Sequence, residues 1–386
     1  MDFALDEEQT LLRDSVLRYL ERDYGFERRR IVAEREGGFS RAHWQCFAEM
    51  GWLGVTLPPA LGGLGAGAVE AALLHEALGG ALVLEPVAAV AVEAAQAILS
   101  AANASQCKAL LAPLIDGTQL FVLAHDESDA HGAAAAVSCR VHGDGGLRLT
   151  GRKTLLPGGP QADAFLVSAL DDSAGDPRCA LSLYFVPADA AGLRRRNYRL
   201  LDGSAACDLE LEAVPLRADA RLGAPGAACA ALRAAREAAI VAGCAETIGA
   251  VGRALALTRE HLLQRRQFGV AIASFQALRH RLADMLIALE QARAMLHRAL
   301  AALAAADCAV RCRDLVLAAK LVGRNGRWVG AQAIQLHGAM GIADETPIAH
   351  GYKRLLVLEQ RLAAAAACLR EPAPGTRPAR GEREAA

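Results

Sequence analysis

The succession of local patterns predicts an α+β chain in three parts: an N-terminal helical domain, a middle antiparallel β domain and a C-terminal four-helix bundle. Three observations carry this expectation. Between residues 119 and 222 the chain breaks into short apolar runs separated by turn residues, as an all-β unit does. On either side, apolar residues recur at three- and four-residue spacing, as on one face of a helix. At 386 residues, the chain also exceeds what a single core ordinarily organises. The expected limits are 1–118, 119–222 and 223–370. The closing "EPAPGTRPARGEREAA", residues 371–386, has little to bury and reads as a disordered tail.

The elements follow in order. Asp6 and Gln9 have the spacing of a capping box, and Leu12, Val16 and Leu20 then form one apolar stripe. Ser40 is placed to cap a second helix carrying Trp44 and Phe47. In "GWLGVTLPPALGGLGAG", residues Gly51, Pro58, Pro59, Gly62 and Gly63 break helices and predict a long loop. Helical spacing returns from Val69 to Leu78 and again from Val87 to Leu99. The strand-like runs are "LFVLAH", "AVSCRVHG", "LRLTGRKTLL", "AFLVSAL", "LSLYFVP" and "CDLELEAV". Four long helical segments close the chain, at about 228–264, 276–304, 312–338 and 347–369, a length and number that suit a bundle. Arg194, Arg195 and Arg196 read as an exposed basic turn, with a phosphate-bearing ligand as the functional alternative.

Composition narrows the function. Hydrophobic residues make up 53% of the chain and mean hydropathy is +0.20, enough for a large core. Aromatics are only 4%, so helix packing against alanine is expected. A net charge of −1 gives nucleic acid nothing to bind. The ten cysteines contain no CxxC pair. Cys308 and Cys312 lie four apart without a His or acidic ligand pair, so no metal site is expected and the thiols read as free in a reducing, cytoplasmic setting. The N-terminus lacks the basic and apolar regions of a secretory signal. The apolar run after Gly79 is interrupted by Glu85, Pro86 and Glu93, which argues against a membrane span. Gly63, Gly65 and Ala68 fit G-x-G-x-x-A with Glu85 downstream. A dinucleotide turn follows its strand directly, whereas Pro58, Pro59 and Ala60 precede this one, so it reads as a loop between helices.

Two segments carry more. "RRQFGVAIASFQALRHRLADM", residues 265–285, sets a polar, aromatic, glycine-containing corner between two helices; "QLHGAMGIADETPIAHGYKR" follows at 335–354. Together with the α–β–α order, "GWLGVTLPPALGG" and "LTGRKTLLPGGPQADAFLVSA", they resemble the acyl-CoA dehydrogenase family over nearly the whole chain to about residue 370. The resemblance implies FAD as cofactor, an acyl-CoA thioester as substrate, oxidised to the trans-2-enoyl form, and a flavoprotein as electron acceptor. The N-terminal part further resembles small subunits of two-subunit bacterial members, of the pimeloyl-CoA dehydrogenase type. By this resemblance Arg265, Phe268 and Gln276 reach the FAD of a neighbouring subunit, and Gln335 and Gly338 match the second contact segment. The chemistry suits such a role. A guanidinium offers forked donors to phosphate oxygens, a phenyl ring packs on adenine, an amide satisfies polar atoms, and glycine admits close backbone approach.

The chain departs from the family where its own chemistry would occur. Removal of a thioester α-proton needs a carboxylate. The family's usual glutamate position, counted from Gln335, falls on Leu362. Glu359 stands three residues earlier. A few members place the base on the first bundle helix, here near Ala239 and Ile240, with Glu237 out of register. The Trp-x-Thr type of trio that lies on the flavin ring is replaced by Thr154, Leu155, Leu156 and Pro157, and the flavin loop is eroded to "HDESDAHG", residues 125–132. The resulting expectation is a subunit of a heteromer, such as a heterotetramer, that completes the FAD site of a partner supplying the base. Two alternatives stand beside it: a self-sufficient homo-oligomeric dehydrogenase using Glu359 or Glu237, and a non-enzymatic member that binds acyl-CoA or a protein partner.

Overall fold

The first helix begins at its cap. Asp6 Oδ1 accepts from the Gln9 backbone N–H at 2.8 Å, and Gln9 Oε1 accepts from the Asp6 N–H at 3.2 Å, which satisfies two of the donors a helix start leaves open. In the computed structural model, which describes residues 5–128, 139–142, 146–171 and 181–369, this helix, α1 (Glu7–Asp23), buries Val16 and Leu20. It is followed by α2 (Phe26–Arg35), α3 (Arg41–Glu49), α4 (Ala68–Gly80), a π-helical stretch Ala88–Ala94 continuing into α5 (Ala95–Ala101), and α6 (Ala104–Ile115). The "FERRRIVAER" of α2 lacks a clear apolar period, and the sequence pattern does not announce it. Ser40 does occupy the N-cap position of α3, but its side chain makes no cap bond. It accepts instead from Arg28 Nη2 at 3.0 Å.

The strands are β1 (Phe121–Ala124), β2 (Arg140–His142), β3 (Arg148–Pro157), β4 (Ala164–Asp171), β5 (Leu181–Pro187), β6 (Leu193–Arg199), β7 (Ala205–Pro215) and β8 (Arg221–Leu222). They form one sheet in the order β6-β7-β3-β2-β4-β5-β8, with β1 also on β4. Most ladders are antiparallel, but β4 pairs in parallel with β1 and β2, so the sheet is mixed. A two-residue period shows that a run is a strand and not which way it points. The triple arginine is corrected by the structure: it is no turn but the middle of the edge strand β6. Arg196 pairs with Asp208 across to β7 at 2.7 Å, Arg194 pairs with Glu212, and Arg195 donates to the Gly159 and Ala162 carbonyls. Charged side chains along an edge strand hinder further pairing. The expected tail 371–386, parts of the 125–132 loop and of the "AVSCRVHG" run, and the first four residues lie outside the described residues.

Four helices close the fold: α7 (Ala228–Gln264), α8 (Gln276–Leu303), α9 (Cys308–His337) and α10 (Pro347–Leu369). By length and composition α7 could cross a membrane, but 61% of its most apolar window is buried, as suits the core helix of a bundle. Glycine permits its closest contact. A Cβ on Gly249 would lie 1.8 Å from the Glu76 carbonyl oxygen, and one on Gly79 2.0 Å from that of Glu246, so α4 and α7 cross backbone to backbone. Beneath this crossing, Arg354 of α10 pairs with Asp202, between β6 and β7, and with Glu246 of α7, both at 2.8 Å; Glu246 also holds His75 of α4 at 3.0 Å. Burial pushes the Glu246 carboxyl up, but Arg354 and His75, with Arg361, together bring it down to about 2. One buried ionic cluster therefore ties all three parts of the chain, and loss of a single member would strand a charge.

Candidate functional site

The corner after α7 is built to project. Arg265 ends the helix, and Arg266–Gln267 pairs with Val270–Ala271 as the small hairpin β9–β10. Its two central residues, Phe268 and Gly269, have φ of +53° and +79°, the positive values that a tight hairpin turn requires. Glycine adopts them freely. For phenylalanine the left-handed conformation costs about 1–2 kcal/mol, and here it leaves the ring 92% exposed. Phe275 meets that ring edge-on at 6.2 Å. Gln276 is the first residue of α8 and is exposed; so is Gln335 near the end of α9. Gly338 follows at φ +62°, and a Cβ there would meet nothing within 4 Å. The His261 and His337 rings stack with centroids 4.4 Å apart, so the ends of α7 and α9 meet. The structure thus gathers Arg265, Phe268, Gln276, Gln335 and Gly338 at one end of the bundle. Among the described residues Arg265 has no carboxylate partner, and Val270, Phe275, Met340 and Ile342 add exposed apolar surface beside it.

The second region lies where the sheet faces the bundle. Lys153 is fully buried and ion-paired with Glu127 at 2.7 Å, and it donates to the His125 carbonyl and to Ser168 Oγ at 3.2 Å each. It thereby fixes the 125–127 loop. Asp126 on that loop pairs with Arg236 of α7 at 2.7 Å. Arg236 also holds Glu93 of the π-helical stretch at 3.2 Å, and Arg361 of α10 reaches Glu93 from the other side at 3.4 Å. Burial would raise the Asp126 carboxyl, yet Arg236, with His125 and Lys153, keeps it below the usual carboxylate range. The backbone past Lys153 is committed too. Thr154 N–H donates to the Asp126 carbonyl at 2.8 Å and Leu155 N–H to Asp208 Oδ1 at 3.0 Å. A small cavity of about 20 Å³ touches Arg361, Pro157 and Gly158; a larger one of about 630 Å³ lies elsewhere, between α1, α4 and α7, lined by Leu17, Leu20, Tyr24, Leu73, Gly249 and Arg253.

The candidate bases sit outside this cluster. Leu362 is buried in the bundle core and packs on α7 at Gly243, where a Cβ would come within 3.0 Å of its Cδ2. Glu359 pairs with Arg327 of α9 at 3.0 Å, and Glu237 with Arg311 of α9 at 2.9 Å. The structure does not bring these two carboxylates together with Asp126 or Lys153. Sequence reasoning passed over Glu93, Asp126, Arg236 and Arg361. A signal existed for one of them: Leu232, Arg236 and Ile240 are spaced four apart, which puts the arginine on the stripe that α7 buries. Among the described residues no group of three His, Cys, Asp or Glu side chains is placed to hold a metal ion.

Comparison with known proteins places these features in a context. A family model described as Acyl-CoA dehydrogenase, N-terminal domain, matches residues 6–118, and one described as Acyl-CoA dehydrogenase, C-terminal domain, matches residues 227–360. Acyl-CoA dehydrogenase FadE12 of Mycobacterium tuberculosis (strain ATCC 25618 / H37Rv) is 30% identical over 302 residues, covering 77% of each chain. Among solved structures, a Tcur3481-Tcur3483 steroid ACAD variant superposes with a TM-score of 0.81 at 30% identity, covering 91% of this chain and 92% of that one. The ChsE4-ChsE5 complex from Mycobacterium tuberculosis gives a TM-score of 0.83 at 26% identity, covering 95% and 96%.

Proposed function

Since the chain belongs to the acyl-CoA dehydrogenase family, FAD-dependent oxidoreductases acting on CH–CH bonds, we propose that it is the subunit of a heteromeric acyl-CoA dehydrogenase that completes the FAD site of a partner chain. The partner supplies the flavin pocket and the carboxylate base. A flavin bound there would supply the hydride acceptor for the thioester β-carbon, and the partner's carboxylate would remove the α-proton.

The single observation that carries this reading is the Asp126–Arg236–Glu93–Arg361 cluster. Its members come from the eroded flavin loop, from α7 near the alternative base position, and from α10 beside Leu362. The chain's own cleft suits a flavin poorly: charge pairs stand in it, and the backbone N–H groups of Thr154 and Leu155 are already bonded within the chain. Support for the other half comes from the end of the bundle. There a guanidinium with no carboxylate partner among the described residues, an exposed phenyl ring, two amides and a bare glycine stand together on an apolar edge. Those groups suit a diphosphate and an aromatic base presented by another chain. A solved structure similar to this chain is the ChsE4-ChsE5 complex, which also favours a two-subunit assembly. We place it in the cytoplasm, with a flavoprotein as electron acceptor.

The test is co-expression with a second family member that retains the glutamate. Acyl-CoA should bleach the flavin of the co-purified complex and of no preparation of this chain alone. Bleaching by this chain alone would favour the self-sufficient reading.

A further inference from the structure

A pair of thiols lies at the opposite end of the bundle. Cys308 is the first residue of the 30-residue helix α9, and Cys312 stands one turn along it. At about 1.5 Å per residue, the pair lies on the order of 40 Å from Gln335 and the proposed cofactor contact. The two Sγ atoms are 3.8 Å apart, and both residues are partly exposed. Arg233 of α7 donates from Nη1 to Cys308 Sγ at 2.9 Å. Among the described residues that guanidinium has no carboxylate partner, so its charge is directed at the sulfur. Arg311 stands close by, donating to the Ala305 carbonyl and paired with Glu237.

We propose that Cys308 and Cys312 form a peroxide-reactive dithiol, with Cys308 as the attacking sulfur and Cys312 as the resolving thiol. Cys308 is the sulfur that the Arg233 guanidinium contacts, and it opens the helix. Cys312 stands one turn further in, and burial, followed by its hydrogen bond to Cys308, pushes its thiol up to about 11. It therefore stays protonated as the donor. In the first step the Cys308 sulfur attacks one oxygen of hydrogen peroxide, the O–O bond breaks, and the other oxygen leaves as water after taking a proton. The sulfur is oxidised to the sulfenic acid and the peroxide is reduced. In the second step Cys312 sulfur displaces that hydroxyl, its proton leaves with it as water, and the disulfide closes. Overall two thiols and one peroxide become one disulfide and two waters.

Geometry gives the bridge a consequence. Residues four apart on a helix have Cα atoms about 6 Å apart, inside the range a disulfide spans. Their Cβ atoms, at about 5–6 Å, must close to roughly 3.8 Å. The first turn of α9 has to tighten, which shifts Arg311 and its pair with Glu237. A bridge closed against helix geometry is readily reduced, so the change is reversible.

The test uses the full chain with hydrogen peroxide, followed by peptide mass spectrometry. A 308–312 bridge that dithiothreitol reverses is expected. Cys312→Ser should stop at the sulfenic acid, trapped by dimedone on Cys308. Arg233→Gln should slow iodoacetamide labelling of Cys308 near neutral pH by about tenfold without altering the circular dichroism. The proposal is overturned if both thiols stay free while other cysteines oxidise, if Cys308→Ser consumes peroxide as fast as the parent chain, or if Arg233→Gln leaves the labelling rate unchanged.

Discussion

His261 and His337 stack nearly in parallel, their ring planes 26° apart, and so fix the end of α7 against the end of α9. Burial, and then His337, hold the His261 imidazole below its usual value. Through this contact the arginine corner and the Gln335–Gly338 segment, 70 residues apart in the chain at Arg265 and Gln335, become one surface.

Arg265 is expected to act only through that surface. Arg265→Ala should remove a charge-assisted contact of roughly 1.5–3 kcal/mol, which is about a ten- to hundredfold loss of FAD affinity in the complex. The thermal unfolding of the chain alone should stay unchanged, because the side chain is exposed and has no carboxylate partner among the described residues. Absorbance of retained flavin and a melting curve check the two halves.

Phe268 sets stability against function. Phe268→Gly should relieve the left-handed strain and stabilise the chain alone by roughly 1 kcal/mol. The same change should weaken FAD retention by the complex, since the ring is lost. A substitution that lowered both stability and retention would show the ring to be packed within its own chain.

Glu359 and Glu237 are expected to be structural. Glu359→Gln and Glu237→Gln each keep the shape and lose the base. Acyl-CoA-dependent flavin reduction by the heteromer should proceed at the parent rate in both. Abolished reduction with FAD still bound would assign the base to this chain.

Acid should loosen the junction of the three parts. The Glu246 carboxyl has an ordinary value of 4.5 and is held at about 2 in the fold, so the folded form binds its proton less readily than the unfolded chain. Its contribution is complete above about pH 4.5 and is lost as pH falls towards 2. Asp202, also held low chiefly by Arg354 against the effect of burial, works in the same direction. The denaturant midpoint should therefore fall across that window. Glu246→Gln should start about 3–5 kcal/mol less stable and show a shallower fall, as urea titrations at several pH values would reveal.

The fold was legible because its signals are local. The capping box at Asp6, the glycine–proline loop before α4 and the four long apolar periods each fix an element without knowledge of its neighbours. Strand direction at β4 and the edge strand β6 were not legible, since both depend on which strand lies alongside. For the candidate site, Arg265 and Phe268 stood out because exposed chemistry at a corner interrupts a pattern. Glu93 and Arg361 were hidden because one charge on an alanine-rich helix looks solvated until its partner, 143 residues away for Glu93 and Arg236, is folded against it.

The central claim is that this chain holds no flavin of its own and completes a partner's. The most direct measurement is the FAD content of the purified full chain after incubation with excess FAD and gel filtration, alone and with its co-expressed partner. The account predicts a colourless chain alone and a yellow complex with one flavin for each partner chain. One flavin per chain bound by this protein alone, displacing the Asp126–Arg236 pair, would contradict it.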